Sequence, residues 1–503
     1  MRIPTNPVLQ SKLKNNVDEN LKLINELLGN SPDLVTRKFY YGIDDSTAIG
    51  VIYLKELSNC HLIQDNIISN LMLEIRKVKP ESKNIMSLDA FTQLRDFVLT
   101  VGDLEEITDF FTLSDKLLSG DTILVVNGHT TGFSISTKKW RQRSIEEPNT
   151  EVQVKGSKIG FNENNVTNIA QIRRKIKNVN LRFETKTIGE TSKTDVVIVY
   201  IADLTDENIL YDVRRRLGDI KIEGVLNSGY IEHNIDNKSY SPFPTIFSTE
   251  RPDLLCAKLL EGRVGILVDG SPFAIIVPTI FGDFFKTMED YIFRKDISSI
   301  FRIIRYISFL LAVSIPALYI ALTTYHQEMI PEFLLINFLQ QQQGVALPIW
   351  AEVILLLFVY EIFIELSRRL PTVVGDTIIL VGGLVISETA VKAGFISLAA
   401  LIIVSLTAVT SYVFSSFDIS NTIVVLRLIF LVSAIFFGLY GIILAFIAIL
   451  LHLCSIKSFQ VPYFPLQEAY KEIIQKDNLT TPAEIGVFNK IAGEGFKLFK
   501  RNK

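Results

Sequence analysis

Through the first 300 residues, apolar positions alternate with charged ones or gather in short runs; beyond residue 305 they merge into long blocks. The first pattern belongs to a folded polar head, the second to helices that need an apolar surrounding. In the head, residues 6–28 place apolar side chains at helical spacing and stop at Gly29-Asn30, a C-cap signal. Residues 49–54 read as a strand and 61–78 as a helix. Residues 122–126 and 132–136 flank Asn127-Gly128-His129-Thr130-Thr131, which predicts a β-hairpin with a longer loop. Further on, 164–176 reads as helix, 195–201 as a buried strand, and 206–217 as a helix ending in Arg214-Arg215-Arg216. A second hairpin follows from 264–268 and 273–277 around Asp269-Gly270, a dipeptide that supplies the positive φ of a type I′ turn. The two hairpins echo one another, as they would in a duplicated subdomain. The polar stretch 138–157 is the expected boundary between the halves.

In the apolar part, residues 306–325 predict a first span, long enough as a helix to cover about 30 Å. Residues 347–366 are interrupted by Glu352, Glu361 and Glu365, so they either cross facing protein or lie in the interface. Residues 373–395 and 396–414 read as spans. Residues 428–454 are uncharged; at about 40 Å they are long for one span and short for two, with Gly438 and Gly441 marking where a bend falls. No Lys or Arg occurs in 306–367, whereas Arg294, Lys295, Arg302 and Arg305 precede it and Arg368-Arg369 follow. That bias, with no apolar leader at the start, predicts a cytoplasmic head. The basic tail after Ser455 then favours an even number of spans. The expected class is α+β with an α-helical membrane part. A head of two α/β subdomains (1–145 and 146–300) precedes a membrane domain of four to six spans (301–455) and a short helical tail (456–503).

One stretch organises the membrane half: residues 370–394, apolar and glycine-rich with charges set into it. Wound as a helix, it places Ile378, Val381, Val385, Glu388 and Lys392 on one side and Gly383, Ser387, Ala390 and Gly394 on the other. The small residues form a face that lets another helix approach closely. The first face ends in a Glu/Lys pair, and each charge would cost about 2.5–3.5 kcal/mol in mid-membrane lipid. It therefore predicts the lining of a polar path, or else an ordinary i,i+4 pair at the membrane surface.

Composition narrows the chemistry. A net charge of −3 over 503 residues gives no electrostatic case for nucleic acid. Cys60, Cys256 and Cys454 lie far apart, which suggests neither a disulfide framework nor a zinc site. The five histidines (His61, His129, His233, His326, His452) are scattered, and no phosphate-binding, dinucleotide, zincin or nucleophile-elbow motif occurs. The expectation is a protein that is not an enzyme, with no catalytic residue, metal or cofactor.

Several blocks, taken in order, resemble the A-subunit family of spore germinant receptors (GerA type). They include Glu147-Pro148-Asn149-Thr150-Glu151, Gly156-Ser157-Lys158-Ile159-Gly160-Phe161, Glu250-Arg251-Pro252-Asp253 and Leu260-Glu261-Gly262-Arg263-Val264. In the membrane half they include Leu370-Pro371, Val381-Gly382-Gly383-Leu384-Val385-Ile386, Leu426-Arg427, Gly438-Leu439-Tyr440-Gly441 and Ser458-Phe459-Gln460-Val461-Pro462-Tyr463. Ser157 stands where Pro is usual, and Ser387-Glu388 where Gly and a neutral residue are common. The resemblance implies a multi-pass protein of the spore inner membrane working with a permease-like B subunit and a lipoprotein C subunit. It further implies a homo-oligomeric ring in membrane lipid, conducting monovalent cations, without nucleic acid. Ile378, Val381 and Val385 would then form apolar gating rings and Glu388 a ring of charge. The competing expectations are a non-conducting scaffold, a paralogue from the dipicolinate-release operon, and a secondary transporter. The transporter is disfavoured because only one glycine-interrupted span is evident.

Overall fold

The computed structural model describes residues 7–41, 47–74, 91, 94, 104–138, 156–236, 241–369, 383, 385, 387–414 and 416–464. They form two compact units, one running to 236 with 246–278 and the other made of 241–245 with 279–464.

The first unit holds two five-stranded antiparallel sheets. In the first sheet, β1 (Leu34–Tyr41), β2 (Thr47–Leu54), β3 (Leu104–Ile107), β4 (Thr122–Val126) and β5 (Gly132–Ile135) are arranged β1-β2-β4-β5-β3. Strand alternation sorts the core onto two faces. Ile52, Leu54, Ile123 and Val125 pack with Val17, Ile24, Leu113 and Leu117 of helices α1 (Val17–Leu27) and α2 (Phe110–Leu118). Ile49, Val51, Leu124 and Val126 pack on the other side with Ile63, Ile67 and Leu71. Those last three sit in a helical run that begins at Cys60–Leu62 and continues as wider π turns to Glu74, within the segment expected to be helix.

The second sheet repeats the order as β6-β7-β9-β10-β8: β6 (Leu181–Ile188), β7 (Thr194–Ile201), β8 (Phe247–Thr249), β9 (Val264–Val268) and β10 (Ala274–Val277). The repetition extends to hydrogen bonds. Asn16 caps α1 by accepting from Asp18 N, and Asn164 caps α3 (Asn165–Lys175) by accepting from Val166 N, both at 2.8 Å. Asn20 pairs with both backbone groups of Lys14, as Asn168 does with those of Asn162. Gly128 N donates to Asn15 O and Gly270 N to Glu163 O, each at 2.8 Å, so each hairpin tip holds the start of the first helix of its own repeat. The echo in the sequence is thus a structural repeat. The expected type I′ turn is not what forms at Asp269-Gly270. Only Gly270 is left-handed (φ 83°), and the ladder closes at Leu267↔Ala274, which leaves a wider loop.

The halves meet at a buried ion pair. Arg173 of α3 donates from Nε and Nη2 to Asp33 and from Nη2 to Ser31 Oγ (2.8 Å), with the arginine fully buried. Its guanidinium also lies 4.8 Å from the Phe183 ring centre.

The second unit is helical: α7 (Lys295–Thr324), α8 (Glu332–Gln342), α9 (Ile349–Arg369), α10 (Leu398–Ser411) and α11 (Phe417–Ser455), where α4 (Glu207–Asp219), α5 (Ser228–Ile235) and α6 (Pro252–Leu260) belong to the first unit. Among the described residues, two helical segments are long and apolar enough to cross a membrane, Asp296–Thr324 and Asp418–Ser455. The second is not one rod. Gly438 adopts φ 59°, ψ −140°, a conformation for glycine alone, inside the run. Thr422 Oγ1 donates to Pro242 O while His452 bonds Ser241 Oγ, so both ends reach one short segment. Thirty residues of straight helix would hold them about 45 Å apart. The chain therefore doubles back at Gly438, and a side chain on Gly441 would collide with the Ser433 carbonyl of the opposite arm. This answers the length problem posed by 428–454: the bend is a reversal.

Candidate membrane pore segment

Of the nine residues singled out in 370–394, Ile378 and Val381 lie outside the described residues. Gly383 and Val385 are helical, and the other five are placed by a helical stretch at 387–392 and its cap. Thr389 Oγ1 donates to Val385 O at 2.6 Å. Gly394 N then donates to Val391 O and Phe395 N to Ala390 O, with Gly394 left-handed at φ 69°. That is a Schellman cap, for which glycine is the favoured residue. Gly394, assigned to a packing face, therefore terminates the helix, and it approaches Gly344 so closely that a Cβ would fall 2.6 Å from the Gly344 carbonyl. Ser387 and Ala390 are partly covered, and a Cβ on Gly383 would meet nothing within 4 Å.

On the other side Val385 is 50% exposed, and Lys392 Nζ contacts Glu388 Oε1 at 2.6 Å with both side chains largely open. Among the described residues no other helix covers this face.

The C-terminal end of the stretch is fixed by neighbours. Ala346 N donates to Gly394 O at 3.0 Å. Glu352, wholly buried in the first turn of α9, accepts from Ser397 N and from Ser397 Oγ (3.2 Å), while Ala399 N donates to Gln341 Oε1 at 3.1 Å. A carboxylate at the start of α10 faces the positive end of that helix. Glu352, one of three acids that made 347–366 ambiguous, is thus an internal cap. The nearby apolar cluster of Tyr319, Ile320, Val353, Ala400, Val404 and Leu431 joins α7, α9, α10 and α11.

The residues expected to be bland are engaged in structure. Arg214 bonds Glu184 across to β6, and Arg215 and Arg216 both pair with the buried Asp212. Burial works to raise the Glu184 carboxyl, but the hydrogen bonds from Arg214 and Tyr200 outweigh it and hold it below its ordinary value. Burial, aided by that bond to Glu184, pushes the Tyr200 phenol up to about 12. His129 stacks on Phe91 and His452 bonds Ser241. Among the described residues no group of three or more His, Cys, Asp or Glu is placed to hold a metal. Sequence reasoning missed the Arg173–Asp33 pair, whose members lie 140 positions apart, and the bonding of Arg427, noticed only as part of a dipeptide block.

Residues 22–481 match the model of the "Bacillus/Clostridium GerA spore germination protein" family. The chain belongs to this family. It is 38% identical over 458 residues to spore germination protein KA of Bacillus subtilis, covering 91% of this chain and 82% of that one. It is 33% identical over 462 residues to the uncharacterized membrane protein YfkQ of the same organism, covering 92% and 88%. The crystal structure of the N-terminal domain of the A subunit of the Bacillus megaterium spore germinant receptor GerK3 matches at 35% identity and a TM-score of 0.41, over 54% of this chain and 98% of that one. The A-subunit resemblance of the sequence blocks is thereby borne out, and membership in GerA makes this a non-enzymatic germination protein. It is a membrane protein with two candidate spans, in keeping with the family and with its likeness to the membrane protein YfkQ.

Proposed function

We propose that this GerA protein is the A subunit of a nutrient-responsive germination receptor that oligomerises in the spore inner membrane into a ring enclosing a gated, cation-conducting pore. Its partners are a permease-like B subunit and a lipoprotein C subunit, and its head, divided at residue 145 and ending near 300, is cytoplasmic. The doubling at Gly438 supports an even number of crossings, which keeps the basic tail on the same side as the head.

The observation that carries the reading is the open face of residues 385–392. In lipid, an exposed Glu388–Lys392 pair is costly; around a water-filled axis it is not. Copies related by that axis would stack apolar rings from Val385, with Ile378 and Val381, beside a charged ring from Glu388. Gly383, Ser387 and Ala390 would meet neighbouring helices. Nutrient binding to the receptor shifts a closed/open equilibrium through its differential contacts with the two states.

The test is ion flux across membranes that hold the chain with its partners, comparing wild type with Glu388→Gln. The expected result is a reduced preference for cations over anions at unchanged protein level. An unchanged preference takes Glu388 off the ion path.

A further inference from the structure

Helix α7 contains Pro316 in its interior. A proline has no N–H, so the carbonyl four residues earlier, that of Ala312, loses its helical donor. In an apolar surrounding, an unpaired carbonyl is expensive. Here it is paired: Arg427 Nε, from the first arm of α11, donates to Ala312 O at 3.0 Å. The same guanidinium donates from Nη2 to Ser411 Oγ at 2.7 Å and from Nη1 to Glu361 Oε1 at 3.3 Å, and lies 5.9 Å from the Tyr360 ring centre. Arg427 is 3% exposed, so these contacts replace its solvent.

Their placement in the chain is what makes them informative. Glu361 is on α9, the helix that runs in sequence into 370–394, and Ser411 ends α10, the helix that follows that stretch. One side chain therefore holds the helices before and after the candidate pore segment against the proline-interrupted carbonyl of a third.

We propose that Arg427 is the positioning residue for gating: it ties the Pro316 break of α7 to the two helices that frame the pore segment, and this frame keeps the segment closed. The proposal rests on the channel reading above. Beside the apolar cluster that packs these helices together, the bond that the proline leaves for Arg427 to make is a directional link between α7 and both framing helices. Arginine suits the task because its planar fork presents donors in three directions at once, which lysine does not.

The experiment measures nutrient-free potassium efflux per molecule of membrane-inserted protein, in cells expressing the full chain with its partners. All variants carry Val385→Ala, so that the pore leaks. Arg427→Lys keeps the charge and loses the fork; it is expected to raise the leak about fivefold or more. Adding Pro316→Ala gives Ala312 O a helical N–H but leaves α7 untied from the two framing helices, so the raised leak should persist. Glu361→Gln, milder and with an amide oxygen still to accept, should raise the leak in the same direction and carries the test if Arg427→Lys fails to insert.

A residue that only packs would lower the amount of protein and leave efflux per molecule unchanged. Unchanged efflux in Arg427→Lys or Glu361→Gln, or rescue by Pro316→Ala, which would mean that only satisfaction of the Ala312 carbonyl mattered, overturns the inference while the channel reading stands. No leak from Val385→Ala itself, with protein present, overturns the reading and the inference together.

Discussion

Arg173 in the first unit and Arg427 in the second are both buried guanidiniums, and they are held differently. Arg173 meets a carboxylate as deeply buried as itself, through two of its nitrogens, with a serine hydroxyl as third partner. Arg427 meets a carboxylate at one oxygen, at 3.3 Å, and Glu361 retains a third of its side-chain exposure; its other polar partners are a carbonyl and a hydroxyl. A bidentate, fully desolvated pair has one good arrangement and fixes its surroundings. A pair with one open member, its guanidinium shared among three other helices, constrains its surroundings less. The first is suited to joining the two halves of a rigid head. The second is suited to an element that must change state.

The largest effect expected from this contrast is at Asp33. Asp33→Ala leaves Arg173 charged and uncompensated in the interior and should destabilise the first unit by about 3–5 kcal/mol, read as a shift of the denaturant midpoint of the purified full chain in detergent. A loss under about 1 kcal/mol, the range of surface pairs, would mean that the pair is hydrated and the contrast is lost. Next comes Gly438→Ala, which forces a side chain into a glycine-only conformation at the reversal of α11 and should cost about 1–3 kcal/mol in the same detergent assay. Indifference to that change would argue against the reversal.

Glu361→Gln should cost about 1 kcal/mol, since Arg427 keeps its carbonyl and hydroxyl partners. A cost matching that of Asp33→Ala would erase the difference between the two arginines. The smallest effect is at Glu184. Its folded carboxyl lies below the ordinary 4.5, so the stability it contributes is present above that value and is lost as pH falls through its folded pKa. Glu184→Gln should lower stability at neutral pH by less than about 1 kcal/mol, since the pair is partly exposed, and converge with wild type as the pH falls below about 4.5. A difference from wild type that grows as the pH falls would contradict that assignment.

Much of the fold was legible because local signals were strong. Residues 122–126, 195–201 and 264–268 carry apolar runs bounded by turn residues, and all three are strands in the sheets. The capping asparagines and the tips at Gly128 and Gly270 repeat because each half must start a helix beside the same hairpin. The turn at Asp269-Gly270 was misread because Gly supplied the left-handed residue that the dipeptide promised, while strand pairing elsewhere set the loop length. At Gly438 the break was visible but its angle was not; a bend and a reversal need the same residue and differ in what the arms pack against. The candidate site was legible only as a helical face. Its C-terminal end is built from Gly344, Glu352 and Ser397, brought together by the tertiary fold, and no periodicity within 370–394 contains them. Arg427 was hidden for the same reason, since the carbonyl it satisfies lies 115 residues away.

The channel claim stands or falls on potassium permeability. Cells expressing the chain with its partners would be compared, without nutrient, as wild type and as Val385→Ala. The account predicts a tight wild type and a leaking variant, because trimming an apolar ring admits water to the constriction. Equal permeability, with equal protein in the membrane, would take Val385 off the pore and leave a scaffold in its place.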